Sequence, residues 1–170
     1  GQVLPTHAEK VGEVLSMTGY PKRYTLDNEW RPLHPWWKQM LMRPDIGAVI
    51  GKGFYYHWGA NYTADAAVIA QQPDGSHKIL LIQRGDTGDW ALPGGFIDDD
   101  ERSHHAALRE LQEESGLNLR PETDGELLYA GPVLDIRTTI HAWSETSLWK
   151  FTIDAATLPE VTGNDDAKDA

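Results

Sequence analysis

The chain reads as an α+β domain with an irregular N-terminal extension, and three observations carry that expectation. Apolar runs of strand length, bounded by turn residues, occur at 64–70, 79–84, 127–133 and 148–153. The segment 101–115 is rich in Ala, Leu, Glu and Arg, follows an Asp-rich turn and stops at Gly116, as a single helix should. The 170 residues contain no internal repeat and no low-complexity tract. That is one domain's worth of chain, able to bury about two-thirds of its unfolded surface.

Residues 1–46 are expected to form the extension. Tyr20-Pro21, Arg31-Pro32, His34-Pro35 and Arg43-Pro44 interrupt any long helix there. Trp36 to Met42 reads as one short helix. Trp30, Trp36 and Trp37 are too apolar for a free linker, so the extension should fold over the core. A partner surface or homodimer interface is the second reading of Trp36 and Trp37. The domain itself is expected over 47–170. Its first two strands are separated by the hairpin signal Gln72-Pro73-Asp74-Gly75, and Ala156-Thr157-Leu158-Pro159 forms a turn after the last.

Composition excludes several classes of function. The chain has no cysteine, which removes disulfides and thiolate catalysis. It has neither an apolar run of membrane-spanning length nor a signal-peptide pattern in residues 1–30, so a soluble, cytoplasmic protein is the default expectation. A net charge of −11 argues against wrapping nucleic acid, which needs lysine and arginine against phosphate. The same charge repels a small anionic substrate, so a bound cation must supply positive potential locally.

The helix at 101–115 suggests where that cation would sit. At roughly 100° per residue, Glu110, Glu113 and Glu114 fall within an arc of about 100°. Like charges at that spacing destabilise a helix by a few tenths of a kcal/mol per pair, and no lysine is interleaved to relieve them. A hard divalent ion turns the repulsion into chelation, and Mg²⁺ is usually held by a few carboxylates together with phosphates and water. Arg109 projects close to Glu113, where its fork can orient a carboxylate. Ala107, Leu108 and Leu111 form the opposite, core-facing side. Upstream, Leu92-Pro93-Gly94-Gly95 supplies a turn that can approach a metal or phosphate without a Cβ in the way, and the acids of 98–101 favour a helix N-terminus.

Gly95, Glu101, Arg109, Glu110, Leu111, Glu113, Glu114, Gly116 and Leu117 together match G-x5-E-x7-R-E-U-x-E-E-x-G-U at every defined position, U being aliphatic. This resembles the Nudix box. The resemblance implies a mixed β-sheet packed between helices and a hydrolase that cleaves a nucleoside diphosphate linked to another group, using Mg²⁺ or Mn²⁺. It implies Glu110, Glu113 and Glu114 as metal ligands and Arg109 as the orienting residue. Gly94 and Gly95 become the turn approaching the metal, and Glu101 supports the loop and the metal shell.

A second resemblance spans residues 51–167 with gaps. The segment Gly51 to Asp65, then Gly88 to Gly95, Asp135 to Thr146 and Gly163 to Ala167 are similar to the mitochondrial ADP-ribose pyrophosphatase branch of that family, which shares its domain with an ADP-ribose-gated cation channel. Ile140 and His141 depart from the acidic and amide residues of that branch. The implied reaction takes ADP-ribose to AMP and ribose 5-phosphate.

Other residues enter as candidates. Arg84 precedes the Gly-rich turn and Arg137 begins a later loop; either guanidinium is suited to a bidentate grip on a diphosphate, a surface ion pair being an equal reading of Arg137. Trp58, Tyr56 and Trp143 offer faces on which an adenine stacks at ~1–3 kcal/mol, though each is more often core. His104 and His105 lie on the wrong side of the helix for Glu110 and Glu114, and are read as exposed. A helix glutamate, Glu145, Asp165 or Asp166 is the candidate general base. The rival substrates are dinucleotides, nucleotide sugars and nucleoside triphosphates. The rival class is a module that senses ADP-ribose without turning it over, against which the intact glutamates argue. The end at Ala170 falls short of the closing strand and helix the Nudix fold implies, so the domain is expected to be truncated there.

Overall fold

The computed structural model describes residues 25–29, 31–43, 49–157 and 167–169. The described residues fall into two compact units, one within 1–62 and 131–146, the other within 63–130 and 147–170. The expected boundary of the extension at residue 46, and Trp30, lie outside the described residues.

In the first unit, β1 (Thr25–Leu26) and β2 (Pro32–Leu33) pair antiparallel, and α1 (Trp37–Leu41) follows. Leu33, Met40 and Ile140 form a small buried cluster with Trp37 packed against it, so Trp37 meets the expectation of packing within the chain. Trp36 remains 38% exposed. The Asp27 carboxylate organises the hairpin, accepting hydrogen bonds from the amides of Glu29 and Arg31 and from Arg31 Nε at 2.8 Å.

The expected first strand is longer than its apolar run suggests. β3 covers Gly59–Gln71, and Gly59 to Tyr62 are buried along with the alanines that follow. Its upstream half was hidden in the sequence because Gly59, Asn61 and Thr63 break the apolar run. The second expected strand is two: β4 (His77–Ile79) pairs with β3, while β5 (Ile82–Arg84) pairs with β6 (Trp90–Ala91). An uninterrupted apolar run therefore spans the switch between two sheets, which periodicity cannot reveal. β7 (Gly94–Phe96) lies antiparallel to β3, with Ala64 opposite Gly95 and Asp65 opposite Gly94.

The second unit holds α2 (Ser103–Ser115), which ends at Gly116 with φ of 76°, the left-handed cap expected from the sequence. Two later strands, β8 (Glu126–Val133) and β9 (Ala142–Asp154), complete a sheet of order β4-β3-β9-β8, and β10 (Ala167–Asp169) pairs with β5. The core lies between α2 and the sheet. Ala106, Ala107, Leu108 and Leu111 meet Ala64, Ala66, Val68 and Phe151. Four alanines on the helix and sheet let the backbones approach closely, while Leu111 and Phe151 supply bulk at ~1.5–3 kcal/mol each. Among the described residues α2 is the one long helix, so a second covering layer, expected from the sandwich, is not seen among them.

The loop entering α2 contains the one non-glycine residue described with positive φ, Asp100 at 68°. Asp tolerates this region better than most residues and a β-branched residue does not. Asp100→Val is expected to lower stability by about 1–2 kcal/mol while Asp100→Gly stays within about 0.5 kcal/mol of the parent, as read by thermal unfolding. Equal melting temperatures for all three would show that the turn relaxes.

Candidate active site

α2 and β7 build the site by close approach. Gly95 has no room for a side chain on the helix side, because an added Cβ would stand 2.5 Å from Glu110 Oε1. Gly94 donates its N–H to Glu114 Oε1 at 3.1 Å. On the other side of Gly94, the Asp65 carboxylate and the Ala64 carbonyl fill the space a Cβ would need. The glycine pair is therefore a thin wall, and the glutamates of the helix lie directly against its backbone.

Glu114 is 8% exposed. Burial is the main reason its pKa is raised to about 7, with the neighbouring Glu110 adding to it; the Gly94 amide and the Arg84 charge act the other way. Glu110 is also raised, again chiefly by burial, against the pull of Arg109. The two carboxyls are close enough for each to shift the pKa of the other. Two carboxyls held this close, one of them buried, form a place where a cation can relieve their mutual repulsion.

Arg109 holds the rest. It donates to Glu101 from Nε at 2.7 Å and from Nη2 at 2.8 Å, to the Phe96 carbonyl at 3.0 Å, to Glu110 Oε1 at 2.9 Å and to Glu113 Oε2 at 3.2 Å. Hydrogen bonding to Glu101 is the largest influence raising the Arg109 pKa. Burial opposes the charge on Glu101, but the Arg109 contacts outweigh it and keep its pKa below the usual range. Arg109→Lys would keep the charge and lose the fork, and is expected to destabilise the protein by about 1–3 kcal/mol and to weaken Mn²⁺ binding measured calorimetrically. Unchanged Mn²⁺ affinity would mean that Glu110 needs no orientation.

The donor set suits a hard divalent ion in part. Glu110 and Glu114 with the glycine backbone would offer oxygen ligands, and Mg²⁺ takes few carboxylates and completes its shell with water and phosphate. Glu113 shares the helix face but is turned to Arg109, and no three described acidic or histidine side chains converge on one point. Arg84 forms a paired contact with Asp86 at 3.0 and 2.8 Å, and its charge reaches Glu114.

The remaining sequence candidates divide. Arg137 lies in the first unit, over the Tyr55 ring at 4.8 Å and bonded to Asp135 Oδ2 at 2.7 Å. Trp58 is half-buried there and meets the His141 ring edge-on. Trp143 corrects the expectation: it is 0% exposed and faced by His34, so it is a core residue with no face open to a base. Glu145 is also enclosed, at 7% exposure, and its pKa is raised chiefly by burial. Asp165 and Asp166 lie outside the described residues. His105 is exposed as expected, but His104 is half-buried, bonded to the Thr123 carbonyl and packed against Trp149 and Phe151. Sequence reasoning missed Asp65; the signal available was a carboxylate inside the apolar run 64–70.

This constellation, a Glu-bearing helix laid against a diglycine strand, defines a class of protein. The family model for the NUDIX domain matches residues 61–166, more than half of the chain, and the chain belongs to that family. It is 32% identical over 164 residues to the putative nudix hydrolase 6 of Caenorhabditis elegans, covering 91% of this chain and 60% of that protein. It is 30% identical over 128 residues to the mitochondrial ADP-ribose pyrophosphatase of Rattus norvegicus, covering 58% of this chain and 36% of that protein. The bifunctional NMN adenylyltransferase/ADP ribose pyrophosphatase of Francisella tularensis, solved with AMP and a manganese ion, matches at 30% identity with a TM-score of 0.53, over 68% of this chain and 34% of that one. The chain thus spans less than two-thirds of the length of each of these relatives.

Proposed function

We propose that this chain is the catalytic domain of a Nudix pyrophosphohydrolase that cleaves a nucleoside diphosphate linked to another group, with ADP-ribose as substrate. The observation carrying the reading is the placement of the Glu110 and Glu114 carboxyls against the Gly94–Gly95 backbone. A divalent cation held by these carboxylates, Mg²⁺ in the first instance and Mn²⁺ as the alternative, would supply Lewis acidity and an activated water. Arg109 orients Glu110 and Glu113, and Glu101 buttresses Arg109. The glycine pair lets the helix carboxylates lie directly against the β7 backbone. Arg84, Arg137 and Trp58 are the proposed contacts to substrate. The products are AMP and ribose 5-phosphate, one water being consumed.

The names of the rat and Francisella relatives support ADP-ribose, and a cytoplasmic location rests on composition alone. No helix among the described residues is long and apolar enough to cross a membrane. The test is product release with MgCl₂ from ADP-ribose, diadenosine polyphosphates, NADH, UDP-glucose and 8-oxo-dGTP. Selective cleavage of ADP-ribose is expected. Preference for another member would move the substrate and keep the chemistry, whereas tight binding of ADP-ribose without turnover would make the domain a sensor.

A further inference from the structure

His141 stands where the resemblance leads one to expect an amide, and the structure gives it a full set of partners. It is 1% exposed. Its Nδ1 accepts the Gly51 N–H at 3.0 Å, which leaves Nε2 as the protonated nitrogen, donating to Asp27 Oδ2 at 2.9 Å. Asp27 is already fixed by two backbone amides and Arg31. One imidazole therefore ties three separate segments: the β1–β2 hairpin, the loop that starts at Val49, and the loop that carries Asp135 and Arg137.

The second and third segments are joined again a few residues away. Tyr55 OH donates to Asp135 at 3.1 Å, Thr139 Oγ1 donates to the Gly51 carbonyl at 2.6 Å, and the Ile140 amide donates to the Val49 carbonyl. Asp135 accepts from the amide of Arg137 at 2.7 Å and from its guanidinium, whose Cζ stands 4.8 Å from the centre of the Tyr55 ring. The position of that guanidinium follows from where the two loops are held.

We infer that His141, as the neutral Nε2–H tautomer clamped between Asp27 and Gly51, is a positioning residue that sets the loop bearing Arg137 for recognition of the substrate's anionic group. This rests on the proposed reading that Arg137 contacts the nucleotide. A single imidazole cannot satisfy both neighbours once charged, because protonation of Nδ1 leaves the half-buried Gly51 N–H facing a second donor. The charged groups around it are Asp27, Arg31 and Glu29, with the Trp58 ring edge-on; burial is the largest influence and pushes its pKa down, against Asp27. The neutral form thus prevails near pH 7, and loop order is expected to weaken as pH falls below the ordinary histidine range.

The test uses kcat and KM for the best substrate of the nucleotide panel with saturating Mg²⁺. His141→Phe is expected to raise KM about tenfold or more while kcat stays within about twofold, since Phe fills the space and removes both hydrogen bonds. His141→Gln, whose amide nitrogen reaches the position of Nε2, should recover much of the loss. Should His141→Phe fail to fold, Asp27→Asn replaces it with the same KM signature. In the wild type, ¹⁵N imidazole spectra should show Nδ1 unprotonated and Nε2 protonated at pH 7, with KM rising as the pH is lowered through the His141 titration. An unchanged KM in His141→Phe, a kcat loss of the same size as the KM effect, or the opposite tautomer overturns the inference. A wild type inert toward every nucleotide of the panel would remove the functional reading and this inference together, whereas an active wild type with an indifferent variant removes the inference alone.

Discussion

Glu114→Gln is expected to reduce turnover by a hundredfold or more, about 3 kcal/mol of barrier, while leaving the fold intact. The amide retains the shape of the side chain, can still accept the Gly94 N–H and can donate to Glu110, so the packing between α2 and β7 survives. What it loses is the negative charge that a cation needs. The pH dependence separates these roles. In the metal-free protein the Glu114 pKa is raised from 4.5 to about 7, mainly by burial. A raised carboxyl contributes stability that is fully present below its unfolded value and is lost as pH rises through the folded one. The metal-free wild type should therefore lose about 2–3 kcal/mol of stability between pH 4 and pH 8, and Glu114→Gln should lose much less. At pH 8 without metal, the variant should be the more stable of the two in a denaturant titration. Adding Mg²⁺ should stabilise the wild type and leave the variant nearly unmoved. A wild type that is equally stable at both pH values would mean that Glu114 is solvated in solution.

The two glycines should part company when each is replaced by alanine. At Gly94 the added Cβ meets the Ala64 carbonyl at 2.8 Å as well as the Asp65 carboxylate, and a backbone atom of a paired strand cannot step aside. Gly94→Ala is expected to cost about 2–3 kcal/mol of stability, through strand displacement. At Gly95 the obstacle is the Glu110 carboxylate at 2.5 Å, the far end of a flexible side chain. Gly95→Ala is expected to fold with a loss of about 1 kcal/mol or less, because Glu110 can rotate. That rotation takes Glu110 out of its pairing with Glu114 and Arg109, so activity should fall by about tenfold to a hundredfold. Unfolding curves and turnover measured on both variants would show either this crossed pattern or, if Gly95→Ala retains full activity, that Glu110 takes no part.

The helix and its site were the most legible part of the sequence, because there local spacing and tertiary role coincide. Gly116 ends α2 with a left-handed residue, and Arg109 reaches Glu113, as the one-turn separation suggests. Sequence spacing could not tell that Arg109 spends most of its donors on Glu101 and the Phe96 carbonyl, since those contacts depend on how the preceding loop folds back. Nor could it tell Glu114, which is buried, from Glu113, which is partly exposed and paired with Arg109. Strand limits were less legible. Residues 79–84 look like one strand, yet pairing divides them between two sheets, and that is decided by partners distant in sequence. Aromatic residues were the least legible: Trp143 and Trp58 are chemically alike, but one is sealed against His34 and the other is half-exposed. Asp27 and His141 are 114 positions apart, and no local pattern links them.

The most direct test of the central claim is chromatographic product analysis of ADP-ribose incubated with the wild type and with Glu114→Gln under a titration of Mg²⁺. The account predicts AMP and ribose 5-phosphate in equal amounts, formation that requires the cation, and near-complete loss in the variant. Cleavage that persists undiminished in Glu114→Gln, or saturable binding of ADP-ribose with no product at any Mg²⁺ concentration, would contradict it.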